Sequence, residues 1–296
     1  MSLGGYGMSQ LTTKDKVSRG KKITESTPKI IFKKIFHPIL GLLANSKVTY
    51  KVCRENKYKR IYRRPIIFCV NHTCFQDTPI MCKALPKQAY MLLGKQSLYP
   101  IDELFFHLNG TIFVDRKDRE DTFLSKIAME EYLRRKQDLI IFPEGTWNLT
   151  DDLLMMEMKW GIIQIAKNTN AQIIPVSLDY EQKSKRCYVK FGEPILPETF
   201  GSKAEAINQL RDTMATLKWE QMERYGMVER SQEWIDEERE KIKQRLAEYP
   251  PYDYGYEQSI IFDTKIPPEE VFEPIKKLEL TKKNAFLFSK HYKGRW

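Results

Sequence analysis

Between residues 65 and 195 short apolar runs alternate with amphipathic segments, and this alternation restricts the fold more than any other feature of the chain. IIFCV (66–70), AYMLLG (89–94), TIFVD (111–115), DLIIFP (138–143), AQIIPVSLDY (171–180) and CYVKFGEPI (187–195) read as strands. TPIMCKAL (78–85), IDELFFHLN (101–109), REDTFLSKIAMEEYLRRK (119–136) and KWGIIQIAKNT (159–169) carry helical spacing. A run that is apolar throughout, such as IIFCV, suits a strand covered on both faces. Strands of that kind interleaved with helices predict an α/β fold, a mainly parallel mixed sheet flanked by helices.

Four segments follow from the pattern. Residues 1–27 are polar and read as a flexible leader, and 28–64 form a basic amphipathic segment. Residues 65–202 form the α/β core, and 203–296 a helical, then aromatic and basic, extension. In PKIIFKKIFHPILGLLA (28–44) apolar residues recur at near-helical spacing, with Lys33 and Lys34 between them and Pro38 placed to kink or end the helix. Two readings stand: an N-terminal amphipathic helix lying in a membrane interface, or one packed on the domain's own core. In the extension, SQEWIDEEREKIKQRLAEY sets Trp234, Ile235, Ile242 and Leu246 on one face before PPYDYGY breaks the pattern.

Charge sharpens this picture. Residues 1–64 hold 16 Lys and Arg against 3 Asp and Glu, a net of +13, so the remaining residues carry −3 of the total +10. A smaller basic cluster lies in TKKNAFLFSKHYKGRW at 281–296. Such segments are drawn to an anionic membrane surface, or stand as solvated arms. No nucleic-acid reading motif accompanies them, and nucleic acid is not an expected partner. No apolar run reaches the ~18 residues of a membrane span. The start has no secretory signal pattern. The five cysteines, Cys53, Cys69, Cys74, Cys82 and Cys187, form no CxxC pair, which fits free thiols in a reducing cytoplasm.

NHTCFQD (71–77) follows the first core strand and puts His72 five residues before Asp77. With His72 at the strand's end and Asp77 one turn into the next helix, the carboxylate curls back to one imidazole nitrogen. That fixes the tautomer and leaves the other nitrogen a proton acceptor, which makes a general base without a serine nucleophile. Three alternatives use the same residues. His72 as a helix-capping or core histidine is the commoner fate of a lone histidine. Cys74 as a nucleophile beside His72 is disfavoured because residues two apart seldom face each other on a helix. A metal held by Cys69, His72 and Cys74 fits no zinc spacing, and no metal is expected.

Four ordered blocks, NHTCFQD (71–77), GTIFVDR (110–116), FPEGTWN (142–148) and IIPVSL (173–178), together resemble the glycerolipid acyltransferases, the superfamily that includes the 1-acylglycerol-3-phosphate acyltransferases. The resemblance covers about residues 65–195. It implies transfer of a fatty acyl group from a thioester, acyl-CoA or acyl carrier protein, to the hydroxyl of a lysophospholipid acceptor, with no cofactor. It implies His72 as the base and Asp77 as its orienting carboxylate. Arg116, Glu144, Gly145, Thr146 and Lys95 fall to the acceptor site, with Arg116 and Lys95 suited to an anionic group. Asn71 and Pro175 fall to the acyl-donor site. Backbone N–H groups near Gly145 and after Pro143 are candidate oxyanion donors.

One position departs from the pattern. Trp147 stands where many members of the superfamily carry arginine, and an indole stacks or lines an apolar channel rather than pairing with phosphate. The acceptor is therefore either phosphate-bearing and held chiefly by Arg116, or a non-phosphate one such as an amino lipid, glycan or small metabolite. A protein that binds a membrane surface and has lost catalysis is a further alternative. The expected location is the cytoplasm, peripheral on the inner face of the membrane.

Overall fold

IIFCV forms the buried middle of a seven-stranded sheet in the computed structural model, which describes residues 23–44, 48–61, 63–95, 98–145, 155, 158–159, 161–181 and 183–222. The strands are β1 (Lys51–Arg54), β2 (Ile66–Val70), β3 (Ala89–Gly94), β4 (Thr111–Val114), β5 (Asp138–Ile141), β6 (Gln172–Glu181) and β7 (Arg186–Phe191), in the spatial order β1-β7-β6-β2-β5-β3-β4. Every neighbouring pair is parallel except β6 with β7, so the sheet is mixed and mainly parallel. The helices are α1 (Thr27–Ala44), α2 (Asp77–Ala84), α3 (Pro100–Asn109), α4 (Arg119–Arg134), α5 (Gly161–Thr169) and α6 (Lys203–Met222).

The apolar strands are explained by cores on both sheet faces. Along β2, Ile66, Phe68 and Val70 enter one cluster while Ile67 and Cys69 enter the other. Along β5, Ile140 goes to the first, and Leu139 and Ile141 to the second. Alternate side chains point to opposite faces of a strand, so a strand with two covered faces has no place for polar residues. α4 begins where Asp118 accepts hydrogen bonds from the N–H groups of Glu120 and Asp121, satisfying two donors of the first turn.

The packed unit is wider than 65–202. β1, from the segment read as N-terminal to the core, pairs with β7 from Lys51↔Arg186 to Arg54↔Val189, and α6 packs across β6 and β7. KVCR gives no apolar run because β1 is a half-exposed edge strand. The run CYVKFGEPI stops pairing at Phe191, and Ile195 returns to the sheet through a single bridge to Ile173.

α1 runs unbroken through Pro38 to Ala44, where a kink or end was expected. Tertiary bonds hold the turn that leads into the proline: Lys33 Nζ donates to the His107 carbonyl of α3 and pairs with Glu25, and His37 Nε2 donates to the Leu85 carbonyl. Lys33 is thereby buried and is not part of the outward basic face. α1 packs one face on the domain's own core, as one of its two readings expected. Ile30, His37, Leu40 and Ala44 are buried against the protein, while Ile31, Phe32, Ile35 (72 % exposed), Ile39, Leu42 (69 % exposed) and Leu43 face outward. Tyr99, Ile101 and Leu104, at the start of the adjoining α3, are exposed as well. Among the described residues, no helix is long and apolar enough to cross a membrane.

From β2 the chain continues to β3, β4 and β5 on one side, then crosses to β6 on the other. Such a reversal opens a crevice at the carboxyl ends of the parallel strands, where ligands of open α/β sheets bind. The residues after β2, β5, β3 and β4, which carry His72, Glu144, Lys95 and Arg116, all emerge on that edge.

Candidate active site

The turn between β2 and α2 is built around one buried carboxylate. Asp77 is fully buried at the first position of α2 and folds back over the five residues before it. Its Oδ2 accepts from His72 Nδ1 at 2.8 Å and from the N–H groups of Thr73 and Cys74. Its Oδ1 accepts from Thr73 Oγ1 at 2.9 Å and from the Tyr180 hydroxyl of β6. Burial alone pushes this carboxyl up. The hydrogen bond and charge of His72, with the bonds from Tyr180 and the Cys74 N–H, outweigh it and hold Asp77 below the ordinary carboxylate value. Asp77 is thus the anion that the spacing of NHTCFQD predicts, and it orders the loop as well as the imidazole.

His72 is fixed from three directions. Its Nδ1 faces Asp77, its N–H donates to Glu144 Oε1 at 2.8 Å, and its ring stacks on Phe142 with centroids 4.1 Å apart and planes 22° apart. With Nδ1–H given to the carboxylate, a neutral imidazole carries its lone pair on Nε2. Cys74 is buried with its Sγ toward Asp77 Oδ1 at 3.7 Å, and burial followed by the charge of Glu144 pushes the Cys69 thiol well up. Neither arrangement activates a sulfur nucleophile. Among the described residues no group of His, Cys, Asp or Glu is placed to hold a metal ion.

Glu144 is almost wholly buried, and its described bond is to the His72 backbone across the β2–β5 pair. Gly145 has φ +80°, a conformation that suits glycine, and its N–H donates to the Phe142 carbonyl. That N–H is engaged within the turn. Thr146 and Trp147 lie outside the described residues, as does most of 151–158. Met155 and Met158 from that stretch pack in the core.

Arg116 follows β4 and lies against the last residue of β3: a Cβ built on Gly94 would come within 2.8 Å of its Nη2. Glycine at 94 is what admits the guanidinium. Lys95 Nζ pairs with Asp121 at 2.9 Å. At about 4.8 Å per strand, β3 and β4 stand roughly 10 and 14 Å from β2 across the sheet, and both cations follow strands that end on the edge of His72. Asn71 is buried, its side chain accepting from the Leu178 N–H (2.7 Å) and donating to the Leu178 carbonyl (3.1 Å). Pro175 is buried within β6, opposite Cys69. Asn71 thus pins β6 to the end of β2 beside the dyad, while the Pro175 carbonyl accepts from the Gly192 N–H.

Tyr180 and Phe142 were not singled out in the sequence. Tyr180 stands 103 residues from Asp77, and only strand pairing brings them together. Phe142 was in view as part of FPEG, but its stacking on His72 depends on the β2–β5 register.

Residues 38–179 match the family model described as Acyltransferase. The 1-acyl-sn-glycerol-3-phosphate acyltransferase of Saccharomyces cerevisiae is 29 % identical over 144 residues, 48 % of this chain and 46 % of that protein. The lyso-ornithine lipid O-acyltransferase of Pseudomonas aeruginosa is 25 % identical over 120 residues, 40 % of this chain and 45 % of that one. The chain thus spans about half the length of these relatives. The crystal structure of the 1-acyl-sn-glycerophosphate (LPA) acyltransferase PlsC from Thermotoga maritima superimposes with a TM-score of 0.53 at 17 % identity, over 72 % of this chain and 89 % of that chain, which is a likeness of fold.

Proposed function

We propose that this protein is an acyltransferase that moves a fatty acyl group from acyl-CoA or acyl carrier protein to the hydroxyl of a lysophospholipid of the 1-acylglycerol-3-phosphate type. The observation that carries the reading is the His72–Asp77 pair, 2.8 Å apart at the carboxyl end of the central strand. His72 Nε2 takes the acceptor hydroxyl's proton as its oxygen bonds to the thioester carbonyl carbon. Asp77 stabilises the imidazolium that results. The carbon–sulfur bond then breaks, and the departing sulfur takes the proton from His72. A thioester is already activated, so no acyl-enzyme is required.

Arg116 and Lys95, on the same edge, are assigned to the acceptor's anionic headgroup. Glu144 helps organise the acceptor site by holding the His72 backbone. Asn71 and Pro175 shape the donor side through β6. The exposed apolar residues of α1 and α3, with the basic N-terminal segment, support docking on an anionic membrane surface, peripheral and on the cytoplasmic side.

A second acceptor class is favoured by one substitution. Trp147 replaces an arginine common in the superfamily, and the Pseudomonas relative is named for a lyso-ornithine lipid, whose ornithine carries an amino group rather than a glycerol phosphate. Purified protein incubated with an acyl thioester and a panel of lysolipids, read by thiol release and product mass, separates the readings. Acylation of lysophosphatidic acid supports the first and acylation of an amino lysolipid the second. Liposome binding with no thiol release from any donor and acceptor pair would refute both.

A further inference from the structure

We infer that Tyr180 is a positioning residue of the His72–Asp77 pair, a role that rests on the reading of His72 as the base. Asp77 is held by two kinds of donor. His72, Thr73 and Cys74 all lie within five residues of it, in the same turn. Tyr180 alone among its described donors comes from a distant element, the long strand β6. The backbone of that turn is held to the sheet through His72 and Glu144, and the Tyr180 hydroxyl ties the carboxylate itself to β6.

The surroundings keep Tyr180 a donor. Its ring meets Tyr50 edge-on at 4.9 Å, fixing the direction of the hydroxyl. Burial first, then the charge of Asp77, pushes the phenol well above its ordinary value, so the proton stays on oxygen and the bond to the carboxylate persists. The other titratable groups facing the pair are Cys74 of the turn, Glu144 beyond β5 and Cys187 of β7. Thr49, just before Tyr50, also holds Gln76 of the same turn through two 3.0 Å bonds, so the scaffold behind Tyr180 and the one behind the turn are continuous.

A donor on Oδ1 draws charge from the carboxylate and weakens its hold on the imidazolium. Removing it concentrates charge on Asp77 and makes His72 more basic, while leaving the loop less well aimed. The test compares Tyr180→Phe, Tyr180 replaced by 3,5-difluorotyrosine, and Tyr188→Phe. Tyr188 donates to Glu181 on the far side of β6 and serves as the control. The first readout is the pH titration of His72 in 13C-histidine-labelled full-length protein, with one of only four histidines to assign. The second is kcat and KM for acyl transfer.

Tyr180→Phe is expected to raise the His72 titration midpoint by about 0.5–1 pH unit and to lower kcat about tenfold with KM within about twofold. The fluorinated residue, a stronger donor, is expected to move the midpoint down, and Tyr188→Phe to change neither. If both Tyr180 variants titrate like the parent, or if only the melting temperature changes, the inference is overturned. The difluoro variant preserves shape and decides the matter should the phenylalanine variant fail to fold. A shifted midpoint with an unchanged rate would uphold the coupling to Asp77 and instead remove His72 from its role as base.

Discussion

Replacing Asp77 by asparagine probes the reasoning at its most constrained point, because the substitution keeps shape and removes charge. In Asp77→Asn the new amide oxygen can take the place of Oδ2 and accept from the Thr73 and Cys74 N–H groups. The amide NH2 then faces Thr73 Oγ1 and the Tyr180 hydroxyl, both able to turn and accept. The loop therefore survives with its charge-assisted bonds weakened, a cost of about 2 kcal/mol, which lowers Tm by roughly 4–8 °C for a unit of this size. Catalysis suffers more. A carboxylate and an imidazolium whose centres lie about 4 Å apart interact by about 4 kcal/mol at an effective dielectric of 20. Losing that in the transition state slows the step about a thousandfold. Thiol release from an acyl thioester, with lysolipid present and absent, measures it. Four of the five cysteines are buried, which limits the protein's own thiol signal. A folded Asp77→Asn protein within about threefold of the parent rate would refute the charge argument.

Other outcomes follow from neighbouring contacts. Glu144→Ala removes the described acceptor of the part-buried His72 N–H and is expected to cost about 1–3 kcal/mol in denaturant melts, with Glu144→Gln recovering most of it. The carboxyl of Asp77 is depressed below its unfolded value of 3.8, so its contribution to stability is complete above that value and lost as pH falls through the folded one. On acidification from about pH 5 to pH 3, Tm should therefore fall further in the parent than in Asp77→Asn. Exchanging Ile35 and Leu42 together for glutamate alters only outward positions of α1. Flotation with anionic liposomes should show binding reduced at least tenfold, with Tm within a few degrees of the parent.

The course from sequence to site depended on how local each signal was. The strands buried on both faces could be read directly, because two covered faces demand apolar residues throughout, as in IIFCV. The His72–Asp77 contact was legible for the same reason: five residues and one helix turn determine it. β1 was not, since KVCR is an edge strand whose partner β7 lies more than a hundred residues away. Pro38 misled because its local effect is overridden by Lys33 and His37, whose partners are on α3 and just after α2. Gly145 was recognised as a turn residue, but the direction of its N–H depends on the Phe142 carbonyl and not on glycine itself. Tyr180 carries no mark in the sequence at all, because what it does is decided by the pairing of β6 with β2.

Central to all of this is that a single imidazole removes the acceptor's proton. The most direct measurement is the rate at which purified His72→Gln protein transfers acyl groups to its best lysolipid acceptor, beside the parent protein of equal Tm. Loss of at least about a thousandfold, with acceptor binding retained, is the predicted result. Transfer at the parent rate would contradict the account.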